Sequence, residues 1–115
     1  MKTREFERFN DGVISIYRKK PKSTSFNAEE NASALSDLDF VARLDFAEVS
    51  RREQDLEFAE RNDFALDLKV KTRAVPGVDN RCKAIIGHTL YDIHLCDKTR
   101  TVMWLYMQEV KSLDP

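Results

Sequence analysis

With three glycines in 115 residues, the chain has no Gly-rich loop to cradle a phosphate, and Gly12 and Gly87 already stand in turn contexts. It also lacks a paired-cysteine motif and a Ser nucleophile elbow. The two cysteines, Cys82 and Cys96, are expected to remain thiols and to pack as small apolar fillers. No apolar run approaches the ~20 residues of a membrane span, and Met1-Lys-Thr-Arg-Glu-Phe6 lacks the apolar core of a signal peptide. The expectation is a cytosolic chain with no membrane partner. Nor is one sign of charge in excess: 19 Lys and Arg stand against 20 Asp and Glu. That balance argues against a protein that grips nucleic acid through a broad basic face. The densest basic run, Arg18-Lys-Lys-Pro-Lys22, reads as solvated surface where a strand enters a loop.

What is present reads as β-structure in one domain spanning 1–115. Asn10-Asp-Gly12 is turn chemistry, and Val13-Ile-Ser-Ile-Tyr17 is rich in β-branched and aromatic residues. Residues 19–37 carry Pro21, serines, asparagines and few large apolar side chains, the composition of a flexible loop. Leu38, Phe40, Ala42, Leu44 and Phe46 then alternate with polar neighbours as in a half-buried strand. Phe64, Leu66, Leu68 and Val70 repeat the pattern, with Asp63, Asp67, Lys69 and Lys71 assigned to the solvent face. Cys82 to Ile86 and Leu90 to Leu95 flank a tight turn at Gly87-His88. Thr101 to Met107 closes the series, apolar on both faces. Six strands joined mostly by hairpins predict a mainly β fold: a small antiparallel six-stranded barrel or sandwich, with one short helix in a loop.

That helix falls within Ala47-Glu-Val-Ser-Arg-Arg-Glu-Gln-Asp-Leu-Glu-Phe-Ala-Glu-Arg61. Ser50 and Glu53 have capping-box spacing, which places the helix start near Arg51. Glu48/Arg52, Arg51/Asp55 and Glu57/Arg61 stand four apart, as solvated ion pairs do. Only Val49, Leu56, Phe58 and Ala59 are apolar. A polar element of this kind contributes little to a core and is free to touch something else.

Signals of chemistry are weak. His94, Asp92 and Cys96 would share one strand face at period two, with His88 nearby, but no second cluster completes a metal sphere. Asp37, Asp39 and Asp45 alternate with core residues as any solvated face does. The phenylalanines follow the core period rather than forming exposed stacking platforms beside basic residues. The expectation is no enzyme, no metal and no cofactor.

The order of features, with Val49-Ser-Arg-Arg-Glu53 and the hairpin phrase Ile85-Ile-Gly-His-Thr-Leu-Tyr-Asp-Ile93, resembles the head-tail joining (head closure, or stopper) proteins of long-tailed bacteriophages. The resemblance spans roughly Asp11 to Val110. It implies a structural barrel that assembles as a homo-oligomeric ring in the virion neck, put together in the host cytoplasm. Its neighbours would be a portal-side adaptor and a tail terminator or tail tube protein, with double-stranded DNA passing without sequence specificity. Carried over by position, the channel-facing helix or loop is 48–62, with Val49, Ser50, Arg51, Arg52, Glu53, Asp55, Leu56, Phe58 and Arg61 as its candidate residues. Lys19, Lys20, Lys22, Phe26 and Leu35 are the candidates for contacts with subunits or neighbours. One departure stands out: Arg51, Arg52 and Arg61 are outnumbered by Glu48, Glu53, Asp55, Glu57 and Glu60. Such a loop would occlude a channel sterically rather than clamp DNA. The alternatives are a tail terminator or another tail-proximal ring component, and then a small nucleic-acid-binding barrel.

Overall fold

The computed structural model describes residues 9–19 and 38–113. Six strands, β1 (Gly12–Lys19), β2 (Leu38–Glu48), β3 (Leu68–Arg73), β4 (Cys82–Ile86), β5 (Thr89–Lys98) and β6 (Val102–Ser112), and one helix, α1 (Glu53–Arg61), make up the chain's regular structure there. The strands close into a barrel in the order β1-β2-β3-β6-β5-β4. Every neighbouring pair is antiparallel. Of the two architectures that the alternation allowed, the barrel is the one adopted. No helix among the described residues is long and apolar enough to cross a membrane.

Inward-facing side chains fill the barrel. Ile14 and Ile16 of β1, Phe46 of β2, Val70 of β3, Ala84 of β4, Ile93 of β5 and Met103, Leu105 and Met107 of β6 form one buried cluster. Val78, from the loop between β3 and β4, joins it. Gly12 is required where β1 begins: its φ is +154°, and a Cβ there would stand 2.9 Å from the Phe46 ring. Gly87 supplies the positive φ of the β4–β5 hairpin. Cys82 and Cys96 are both free thiols.

The ladders are bulged at three places, one of them between Leu90 and Tyr91, and the other two correct the alternation. Against β1, the register slips between Ile16, opposite Ala42, and Tyr17, opposite Phe40, which leaves Val41 as the extra residue. The slip reverses the facing of the side chains. Val41 packs on the core, and Phe40 is 61% exposed, edge-on to the Tyr17 ring at 5.8 Å. In β5 the register slips between Ile93 and Leu95. Ile93 and Cys96 therefore belong to the interior cluster, while His94 stacks on the Phe64 ring at 4.2 Å. The shared face of Asp92, His94 and Cys96 does not exist. Among the described residues no group of three or more His, Cys, Asp or Glu side chains is placed to hold a metal ion.

The stretch from Phe64 is also shorter as a strand than its alternation predicts. β3 begins at Leu68, and Phe64 and Leu66 leave the barrel wall for a second cluster with Ala59 and Tyr106, against which Phe58, Leu95 and Trp104 pack. This small core lies on the outside of the barrel, under α1. It accounts for the two apolar faces of β6: Met103, Leu105 and Met107 point in, while Trp104 and Tyr106 meet the second cluster.

Candidate functional site

The segment that joins β2 to β3 is the most elaborate feature outside the barrel. It leaves β2 through the Val49 N–H, which donates to Lys69 O at 2.9 Å. The Arg51 guanidinium then reaches forward to Leu66 O at 3.1 Å. α1 opens at Glu53, with Arg52 as its N-cap. The capping carboxylate is Asp55, whose Oδ2 accepts from the Arg52 N–H at 2.9 Å. Ser50 is therefore not the cap, and the helix starts two residues beyond Arg51. Glu53 is too close to the true cap to play the reciprocal part, whereas Asp55 stands three residues from it.

At the other end, the Asn62 side chain donates to Phe58 O at 2.8 Å. Asp63 turns the chain with a φ of +59°, a conformation that Asp tolerates better than most residues. Phe64 then packs into the outer cluster, and the chain rejoins the wall at Leu68.

Asp55 does more than cap. It is 4% exposed, and Lys69, on the outer face of β3, is 5% exposed. Lys69 Nζ donates to Asp55 Oδ2 at 2.8 Å, and the Tyr106 hydroxyl donates to Oδ1 at 3.2 Å. The Arg52 guanidinium adds longer contacts at 3.4 Å. Burial on its own pushes the Asp55 carboxyl up. The hydrogen bonds from Lys69 and from the Arg52 N–H and side chain outweigh it and hold the group far below the usual carboxylate range. Lys69 is directly opposite Tyr106 in the β3–β6 register, and its ammonium lies 4.9 Å from the ring centroid. Two residue pairs along, on the same face, Lys71 lies over Trp104 at 5.4 Å.

This pairing overturns two expectations. Lys69 does not face water, and Asp55 is not a partner of Arg51 on a solvated helix. α1 is a strap fastened to the wall by a buried ion pair and by its own small core, so it has a structural share that its composition conceals. Of the channel-loop candidates, Ser50, Arg51, Arg52, Glu53, Leu56 and Arg61 are exposed, Val49 and Phe58 are half-buried, and Asp55 is buried. Leu56 is 45% exposed. A cleft of about 510 Å³ lies beside the strap, lined by Val49, Ser50, Arg52, Lys69, Trp104 and Tyr106 among others.

Of the contact candidates, Lys19 ends β1 and is exposed. Lys20, Lys22, Phe26 and Leu35, with nearly all of the 19–37 loop, lie outside the described residues. A second cleft of about 530 Å³ opens beside Lys19, lined by Arg18, Lys19, Arg81, Lys83, Asp92 and others. Arg81 is bonded to Asp79 at 3.1 Å, and Lys83 to Asp92. Arg18 donates to Gly77 O and stands 3.7 Å from Asp79. Among the described residues, four cations around two carboxylates leave this groove net positive. Sequence reading passed over it because its charges come from three separate strands and a loop. The signals available were the outward position of Lys83 on β4 and the adjacent Arg81.

No protein-family model matches the chain, and no curated protein matches it.

Proposed function

We propose that the chain is a structural virion connector of the head-completion or stopper kind. In this reading it forms a ring between a portal-side adaptor and the tail, helps to retain packaged DNA and offers the tail a docking surface. Its place is the neck of the virion, after assembly in the host cytoplasm. The observation that carries the reading is the strap: a rigid, charged helix held on the outside of a closed barrel, with Glu53, Leu56, Glu57 and Glu60 turned outward. A firm scaffold with a polar projection suits a part whose work is mechanical. The net acidic outward face would let DNA slide past without sticking, since phosphate contacts need cations.

Co-expression with the products of the adjacent reading frames, followed by electron microscopy, tests this. The expected result is a ring seated on a portal-side adaptor. A ring that binds the tail tube instead would select the tail-terminator reading, and association with neither would refute both. For gating, Leu56→Ser is the informative variant, because Leu56 contributes little to either core. Phage carrying it should lose DNA from filled heads before tails attach. Normal retention would place the gate elsewhere.

A further inference from the structure

We propose that the outward face of α1 docks into the basic groove of a second copy of this chain, so that the barrels join head to tail. The inference deepens the connector reading and takes from it only that copies of the chain meet one another.

Two surfaces on the same molecule carry it. On α1, Glu53, Glu57 and Glu60 follow one another at i, i+4 and i+7, and so lie along one side of the helix. All three are exposed. Asp55 and Ala59 take the opposite side and are buried. Leu56, exposed, flanks the acidic row. The row is thus a fixed ridge of three carboxylates with an apolar shoulder. In the barrel surface, the groove offers the complementary sign: Arg18 and Lys19 from the end of β1, Arg81 from the loop and Lys83 from β4. Asp79 and Asp92 offset only part of that charge. Arg81 is 79% exposed at its side chain, within reach of an incoming carboxylate.

The topology makes the contact intermolecular. α1 is fixed to the β3–β6 wall by Asp55 and Lys69, whereas the groove begins at the β1–β4 seam. The groove extends from that seam to Asp92 and His94 of β5, but the ridge is on the side of α1 opposite the buried Asp55 and Ala59, so it points away from the wall in which the groove of its own copy lies. Ridge and groove are different patches, which defines a heterologous interface, and repetition of such a contact yields a ring when the rotation closes. The contact is polar and rim-like. It should therefore be weak in free solution and sensitive to salt, with charge setting orientation more than strength.

The test uses two charge-reversed forms of the full chain. In the first, Glu57→Lys and Glu60→Lys make the ridge basic. In the second, Lys19→Glu and Arg81→Glu make the groove acidic. All four positions are exposed, and circular dichroism of each form checks that the fold is kept. Association at low salt is followed by sedimentation velocity, together with zero-length carbodiimide cross-linking read by mass spectrometry. The wild type should self-associate, lose roughly tenfold or more in affinity between low and high salt, and give cross-links from Glu57 or Glu60 to Lys19 or Lys83. Each reversed form alone should lose self-association by a similar factor. Mixed together they should recover it, because each ridge then meets a groove of opposite sign.

Absence of these cross-links at low salt, or failure of the mixture to recover, overturns the proposal. Association that ignores both reversals shows that copies meet elsewhere, which sinks this interface and leaves the connector reading standing. If labelled duplex DNA binds the wild type and the second form alone loses that binding, the groove belongs to nucleic acid and the proposal is also overturned. A ring on the adaptor that survives both reversals likewise overturns this interface and supports the connector reading without it.

Discussion

Truncating Asp55 to Ala should release the strap, and the cost can be worked from its partners. The carboxylate accepts from the Arg52 N–H at 2.9 Å, from Lys69 at 2.8 Å and from the Tyr106 hydroxyl at 3.2 Å. Its removal leaves an ammonium that is 5% exposed with an aromatic ring as its remaining close partner, and also removes the helix cap. Breaking one side of a buried pair costs about 3–5 kcal/mol, because the other charge stays behind. Lys69→Met should cost less, about 1–3 kcal/mol, since Asp55 keeps the Arg52 N–H and the Tyr106 hydroxyl. The double variant should be better than the sum of the two, because the stranded charge is gone. Urea titration followed by the fluorescence of Trp104, which packs beside the strap, gives all four corners of the cycle. Circular dichroism shows whether the helix alone is lost. If Asp55→Ala melts within about 0.5 kcal/mol of the parent, the range of an ordinary surface change, the ion pair does not hold the helix.

Acid should weaken the same fastening. The folded carboxyl is held below its unfolded value, so its contribution is complete above about pH 4 and falls away as pH drops below that; Asp55→Asn should flatten the fall in urea midpoint between pH 5 and pH 2, each figure an approximate bound of that window. Gly12→Ala should cost about 1–3 kcal/mol in a thermal or urea melt, because the new methyl meets the Phe46 ring; an unchanged midpoint would show that the ring moves aside freely. Phe40→Ser should cost under about 1 kcal/mol, whereas Leu105→Ala should cost about 2–5 kcal/mol; similar values for both would contradict the bulged register. Phe58→Ser should be clearly worse than Leu56→Ser, since Phe58 meets Phe64 and Tyr106 edge-on; equal melts would mean that the outer core contributes nothing.

The barrel was legible because alternation is imposed by water on one side of a wall and core on the other, and β4 in particular runs over the predicted residues, Cys82 to Ile86. Phe40 was misassigned because a bulge is a property of two strands together, and nothing in β2 alone marks Val41 as the extra residue. The strap was misread for a different reason. Asp55 has Arg51 at helical spacing, a local partner that a sequence offers readily, whereas its actual local partner is Arg52 and its buried partners, Lys69 and Tyr106, lie 14 and 51 residues away. Lys69 sits between two apolar residues at a position that alternation gives to solvent, and only the arrival of α1 over that face buries it. The helix itself was visible, and its capping chemistry was of the right kind but displaced by two residues.

The wall of the barrel is stitched unevenly. β5 and β6 are paired from Thr89 with Ser112 to Lys98 with Met103, whereas β2 meets β3 only through Phe46, Ala47 and Glu48. A sheet closed into a cylinder yields first along its shortest seam, because the fewest ladder bonds must break there before solvent enters. The β1–β2 hairpin is the leaf that would swing, hinged on the β1–β4 ladder, and the strap bridges the far side of that opening. Loads passed along the chain from a neighbour would therefore be felt at residues 46–48, immediately before the segment that carries the helix. Amide exchange at Ala47 and Glu48 that is faster than at Leu105, and that quickens further when Asp55 is removed, would mark this seam as the opening edge between a stiff half-cylinder and a movable one.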